Sequence, residues 1–249
     1  MSLHIQMLGT GSAFAKERYN NSALLRTQDK QVMIDCGSSV PRSLHELQIQ
    51  PDRIDGILIT HIHADHVGGL EEMAFRLLYE HGRKRTKLFI AESLAVPLWE
   101  NTLKGGLYSP SENLLTLEDY FDVVLLPERA SVELFPGLTV EIIPTEHIQL
   151  KPSYSLFIND RTFYSADIRF NPELLIGEVI QQRNCHTIFH DCQLSGQGFV
   201  HTTLEELLTL PEEVQQRIYL MHYDDSMPDY IGRTGQMSFV QQHQIIDLT

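Results

Sequence analysis

Cysteine is scarce in this chain, positive charge is outnumbered, and no apolar run is long. Cys36, Cys185 and Cys192 are the only thiols, odd in number and without a C-x-x-C pair. That argues against a disulfide framework and fits a reducing, cytoplasmic setting. No stretch of eighteen apolar residues occurs, so no membrane span is expected. The opening MSLHIQMLGT lacks both a basic n-region and a long apolar h-region, so no secretory signal is expected either. Lys and Arg number 19 against 33 Asp and Glu, a net charge of −14. Proteins that grip long nucleic acid usually carry a basic face, because phosphate contacts by Lys and Arg supply that affinity. The one basic run, HGRKRTK at 81–87, reads as a solvated loop. Long nucleic acid is therefore not an expected partner. A small anion at a metal site stays compatible, since the metal brings its own positive charge.

No low-complexity tract or linker divides the chain, so residues 1–249 read as a single α/β domain. An apolar fraction of 42% with 21% charged residues is ordinary for a chain that buries a sizeable core. LHIQML alternates and ends at the Gly-rich GTGSA, and SALLRT and QVMIDCG continue as strands of a meander. GTG at 9–11 lacks the spacing and lysine of a phosphate loop and reads as a tight turn. PRSLHELQI has helical spacing, and GILIT is a short apolar strand. Residues 71–120 are mostly helical in pattern around the strand KLFIA. LTVEIIP, YSLFI, TFYSA, TIFHD and IYLMH follow as strands, with helical stretches NPELLIGEVIQQ and TLEELLTLPEEVQQ between the later ones. The pattern suggests two similar β-rich layers with helices outside.

Against these absences stands one concentration. THIHADHVGG packs His61, His63, Asp65 and His66 into six positions at the close of the GILIT strand. Imidazole nitrogens and carboxylate oxygens bind borderline divalent ions, zinc foremost. His61 and His63, two apart on extended backbone, point to one side. Asp65 and His66 follow as the chain turns into a helix, so the two pairs can serve two ions. Gly68 and Gly69 allow that turn a close approach. Further candidates close later apolar runs: His147 after LTVEIIPTEH, Asp167 after TFYSAD and His222 after RIYLMH. Each alone is an ordinary edge residue; together they repeat one pattern, as a shared site requires.

THIHADHVGG, TEH, YSAD and MHY, in that order, resemble the metallo-β-lactamase-fold hydrolases, and more narrowly the ribonuclease Z-like phosphodiesterases. LGTGSAFAKERYNNSALL and IDCG are similar to that branch as well. The resemblance implies a four-layer αββα sandwich and two divalent ions, zinc before manganese. It assigns His61, His63 and His147 to the first ion and Asp65, His66 and His222 to the second, with Asp167 bridging. A carboxylate bridge holds two ions roughly 3.5–4 Å apart, the spacing used for in-line displacement at phosphorus. GFVHTTLEEL resembles the ribonuclease Z histidine motif, which makes His201 a candidate proton donor ahead of a helix that Thr202 or Thr203 caps. HDCQ is also family-like, with His190 and Asp191 orienting ligands.

The long basic arm with which ribonuclease Z grips transfer RNA is absent. Among these branches NNSALL, IDCG, HIHADHVGGLE and HDCQLSGQGFVH most resemble the anti-Pycsar proteins, which hydrolyse cyclic mononucleotides and so counteract cyclic-nucleotide immune signalling. The expected catalytic residues are then Asp65, orienting the attacking water, and His201. The expected substrate is a small cyclic nucleotide (cCMP, cUMP, cAMP or cGMP), and the expected assembly a homodimer. Tyr154 and Ser155 are candidates for the mouth of the site. The alternatives are an RNA endonuclease, or an esterase or thioesterase, on the same scaffold, and a non-catalytic binding protein that keeps the fold for a partner.

Overall fold

The computed structural model describes residues 2–248. Among these, fourteen strands form two seven-stranded sheets. The first contains β1 (His4–Gly9), β2 (Ser22–Arg26), β3 (Gln31–Ile34), β4 (Gly56–Ile59), β5 (Thr86–Ala91) and β6 (Phe121–Leu126). The second contains β7 (Val132–Phe135), β8 (Leu138–Pro144), β9 (Tyr154–Ile158), β10 (Thr162–Tyr164), β11 (Thr187–Asp191), β12 (Ile218–Met221) and β13 (Ser238–Phe239). The last strand, β14 (Ile245–Asp247), returns to the first sheet beside β1. The orders are β14-β1-β2-β3-β4-β5-β6 and β7-β8-β9-β10-β11-β12-β13. Both sheets run through three antiparallel pairings and then three parallel ones. The two halves of the chain thus share one topology without a visible repeat of residues.

Strand alternation explains the layering. On β9, Tyr154, Leu156 and Ile158 join Leu24, Ile57 and Phe89 of the first sheet in one buried cluster. Phe157, between them, faces the other way, toward Leu175, Val179 and Leu207 on helices outside the second sheet. Val40, Leu44, Leu70 and Met73 supply the helical layer of the first sheet. Burying a side chain of this size contributes roughly 1.5–3 kcal/mol, so the αββα stack is specified by which face each apolar residue occupies.

Two local readings change. TLEELLTLPEEVQQ is not one helix but two, Leu204–Leu208 and Glu212–Gln215. Pro211 stands between them, has no N–H to continue the first and disfavours helical backbone just before it. β6, β7, β13 and β14 carry no strand signal in the sequence reading, and they are the four sheet edges.

Candidate metal centre

Strand ends deliver the site. β3 and β4 of one sheet, and β8, β10, β11 and β12 of the other, end at a common rim, where open α/β sheets present their ligands. Three of these ends turn through left-handed backbone: Asp35 after β3 (φ 59°), Ala166 after β10 (φ 50°) and His222 after β12 (φ 58°). Non-glycine residues adopt that conformation at a cost, and such strain gathers at functional sites. Gly37 lets the turn after β3 press against the histidine segment, since a Cβ there would lie 1.9 Å from the Asp65 carbonyl oxygen. Gly69 serves the same contact from the other side, since a Cβ there would lie 2.5 Å from the Gly37 carbonyl oxygen.

The helix Ala64–Val67 begins directly after His63, placing Asp65 and His66 in its first turn. All seven residues read from the sequence as ligands then converge in two clusters. In the first, His61 Nε2 and His147 Nε2 lie 3.0 and 3.2 Å from His63 Nδ1. Asp167 Oδ2 stands 3.6 Å from His61 Nε2 and 3.7 Å from His147 Nε2. In the second, His66 Nε2 is 3.3 Å from Asp65 Oδ2 and 3.2 Å from Asp167 Oδ1. His222 Nε2 lies 3.2 and 3.5 Å from the same two oxygens. The single carboxylate of Asp167 therefore gives one oxygen to each cluster. An ion about 2.1 Å from four ligands has ligand–ligand edges of about 3.4 Å. The observed separations surround that value in both clusters.

The outward nitrogens fix the inward ones. His66 Nδ1–H donates to Asp35 Oδ2 at 2.8 Å, and His147 Nδ1–H donates to the Val200 carbonyl at 2.6 Å. Thr60 donates to Asp35 from its hydroxyl and its amide, which leaves its Oγ1 to accept from His61 Nδ1–H at 3.1 Å. Each Nε2 in this set thus aims a lone pair inward, the arrangement that outer partners impose on metal-binding imidazoles. His66 Nε2 and Asp167 Oδ1 are buried and have no hydrogen-bond partner. Polar atoms in that state are costly unless something else satisfies them, and a divalent cation between them does so. The donor set and its orphaned atoms fit two ions.

Electrostatics agree. Burial and the neighbouring His66 hold His61 well below its ordinary pKa, and burial with His147 lowers His63 to about 4. These nitrogens stay free to donate lone pairs. In the second cluster burial opposes charge, but Asp167, Asp191 and Asp65 outweigh it and lift His222 to about 10. Burial likewise pushes Asp167 up, yet His222 and His66 hold it well below the carboxylate range. The second cluster calls for positive charge.

His201 lies outside these two clusters and meets Asp167, Asp191 and His222 in a third. Its Nδ1–H donates to Asp191 Oδ2 at 2.8 Å, and Thr203, two residues on, caps the helix Leu204–Leu208 through a capping box with Glu206. Burial works against protonation of His201, but Asp191 overcomes it and raises the pKa. A cleft of about 420 Å³ opens over His63, Asp65, His147 and His201, rimmed by Phe14, Asn20 and Ser38. A groove of about 630 Å³ beneath residues 145–152 adjoins it through His147 and Ile148.

Tyr154 and Ser155 do not reach this mouth. Both are buried in β9, where Tyr154 meets Ser93 and Glu128 and Ser155 donates to the Ser165 carbonyl. The alternation of a strand covered on both faces takes them inward. His190 donates only to the carbonyl of Asp191, whereas Asp191 itself faces two imidazoles. Asp35 and Thr60 have no role in the sequence motifs. Their signal was present, since Asp35 closes the QVMID strand as Asp167 closes TFYSAD. The Val200 carbonyl, a backbone group, leaves no trace in residue types.

Comparison with known proteins places the chain. Residues 3–246 match the family model of anti-Pycsar protein Apyc1. An anti-Pycsar protein Apyc1 from Paenibacillus xerothermodurans is 55% identical over 249 residues, covering 100% of this chain and 99% of its own. One from Bacillus phage BSP38 is 45% identical, covering 96% of this chain and 95% of its own. Among solved structures, the metallo-β-lactamase-fold protein YhfI from Bacillus subtilis superposes with a TM-score of 0.77 at 14% identity, over 99% of this chain and 100% of that one. The fold is the metallo-β-lactamase fold.

Proposed function

The chain belongs to the anti-Pycsar protein Apyc1 family, and we propose that it is a metal-dependent phosphodiesterase that opens cyclic nucleoside monophosphates to linear ones, countering cyclic-nucleotide immune signalling. The observation that carries this reading is the division of the Asp167 carboxylate between the His61/His63/His147 cluster and the Asp65/His66/His222 cluster. Two ions held there, zinc foremost, bring the pKa of water toward neutrality and offset charge that builds on phosphate oxygens.

The remaining work falls to side chains. Asp65 borders the cleft and accepts a hydrogen bond from the attacking water, aiming it at phosphorus. His201 also borders the cleft and gives its Nδ1–H to Asp191, which leaves Nε2 for the substrate. Asp191 favours the protonated form of His201 against the effect of burial, and the imidazole passes that proton to the departing ribose oxygen. The cleft volume lies in the range of small-ligand sites. A cyclic mononucleotide brings one negative charge to it, whereas long RNA brings many toward a chain of net charge −14.

The test presents the metal-loaded protein with cyclic UMP, CMP, AMP and GMP beside a 3′-extended tRNA and a neutral thioester. Hydrolysis of the cyclic nucleotides, abolished by chelation, is the expected result. Efficient trimming of the tRNA with inert cyclic nucleotides overturns the reading in favour of a ribonuclease. Cleavage of the thioester alone moves the protein to carbonyl chemistry.

A further inference from the structure

We infer that Phe14 is the residue on which the nucleobase stacks, so that a substrate is held at two points, its phosphate at the metal centre and its base on this ring.

Phe14 is 86% exposed, yet its loop is braced on both sides. Gly11 closes the segment, its amide donating to the Tyr19 carbonyl at 2.8 Å and its carbonyl accepting from the Asn21 amide at 2.9 Å. The Ser12 amide donates at 3.0 Å to the carbonyl of Tyr223, the residue after His222. The amides of Lys16 and Glu17 donate to the two oxygens of Asp225 at 2.6 and 3.1 Å. Phe14 stands between these anchors, so its backbone is fixed while most of its surface stays open. It lines the same cleft as His63, Asp65 and His201. A large apolar side chain kept in water beside a charged centre gains from burial only when a ligand arrives. Because the loop is already braced, little order has to be imposed on binding.

The rest of the cleft identifies the part of the ligand that meets this ring. Two ions take the phosphate and His201 takes the departing ribose oxygen, so the base is the group still to be held. Ala13, Ile148 and Val200 add apolar wall. Asn20 and Ser38 are the polar side chains of the cleft outside the His and Asp clusters. Asn20 Oδ1 accepts from Ser38 Oγ at 3.2 Å, from the Ser39 amide at 3.0 Å and from Ser39 Oγ at 2.8 Å. That carboxamide oxygen is already committed and does not read a base edge. Among the described residues lining the cleft, histidines aside, Phe14 alone offers an aromatic ring. Base–aromatic stacking contributes about tenfold or more in affinity and needs only the π-face that every base has.

The nature of the ligand rests on the phosphodiesterase reading, but the first readout is binding and needs no turnover. Zinc-loaded wild type, Phe14→Ala and Phe14→Tyr are titrated calorimetrically with AMP, the linear product, and with ribose 5-phosphate, which lacks the base. An exposed ring contributes little to the fold, so both variants should melt with the wild type. We expect AMP to bind wild type and Phe14→Tyr alike and Phe14→Ala about tenfold more weakly. Ribose 5-phosphate should bind all three equally. Unchanged AMP affinity in Phe14→Ala overturns the inference, and so does an equal loss for ribose 5-phosphate. A wild type that binds both ligands equally overturns it as well. The second readout is steady-state hydrolysis of cyclic AMP. A stack made equally in the ground and transition states should raise KM about tenfold in Phe14→Ala and leave kcat within about twofold. A fall in kcat with KM unchanged overturns the assignment. A wild type inert on every cyclic nucleotide defeats the functional reading instead, and the AMP titrations still judge this one.

Discussion

His66 and Asp35 meet at 2.8 Å, Nδ1 to Oδ2, with neither side chain reaching solvent. Asp35 also takes both donors of Thr60, which in turn holds His61. One buried carboxylate thus stands behind an imidazole of each cluster.

Asp35→Ala should therefore weaken metal binding although Asp35 touches neither candidate ion position. Outer partners of this kind typically contribute about ten- to a hundredfold in affinity. The donors left unpaired should also cost about 1–3 kcal/mol each. Metal titration and denaturant unfolding of the variant read both effects. Unchanged affinity would remove Asp35 from the support of the site.

Asp167→Ala removes an oxygen from each cluster at once. We expect loss of metal from both sites and no measurable hydrolysis, with metal content followed by elemental analysis. A variant that keeps about two ions and the wild-type rate would defeat the bridged assignment.

His201→Ala and His147→Ala should separate turnover from metal retention. Loss of a positioned general acid costs about a hundredfold or more in rate and leaves the ions in place. His147→Ala should shed metal, since its Nε2 faces the first cluster. Equal metal loss in both variants would recast His201 as a ligand.

Chelation should lower the melting temperature as well as stop the reaction. An ion that binds only the folded chain stabilises it by about 4 kcal/mol at a free concentration about a thousand times its Kd. Calorimetry with and without chelator measures the difference. An identical melting temperature in both would mean that the clusters hold no ion under those conditions.

Thr203→Ala should cost about 1 kcal/mol through loss of the helix cap, since Thr203 Oγ1 accepts from the Glu206 amide at 3.2 Å. Chemical denaturation reads this, and ion content should not change.

All ten inner strands are legible in the sequence and all four edge strands are not. Inner strands such as GILI and YSLFI are buried throughout, so their apolar runs are continuous. FDVVLL has solvent on one side and carries a buried–exposed mixture, while β13 has only two residues. The groups that converge at the site are legible for a related reason, as His61, His147, Asp167 and His222 follow apolar runs and His63, Asp65 and His66 stand directly beyond His61. What orients them was less so. Asp35 carries the same signature, but nothing local ties it to His66, 31 positions on. The Val200 carbonyl could not be read at all. Tyr154 and Ser155 lie away from the mouth because proximity in sequence to His147 is not proximity in space once the strand turns inward.

The matching topology of the two halves has a consequence for biogenesis. His61, His63, Asp65 and His66 come from the first sheet, and His147, Asp167 and His222 from the second. The first sheet is itself unfinished until β14 lays down beside β1. A polypeptide that has formed only the first sheet therefore carries His61, His63, Asp65 and His66 without His147, Asp167 and His222, so neither cluster is complete until the two sheets face each other.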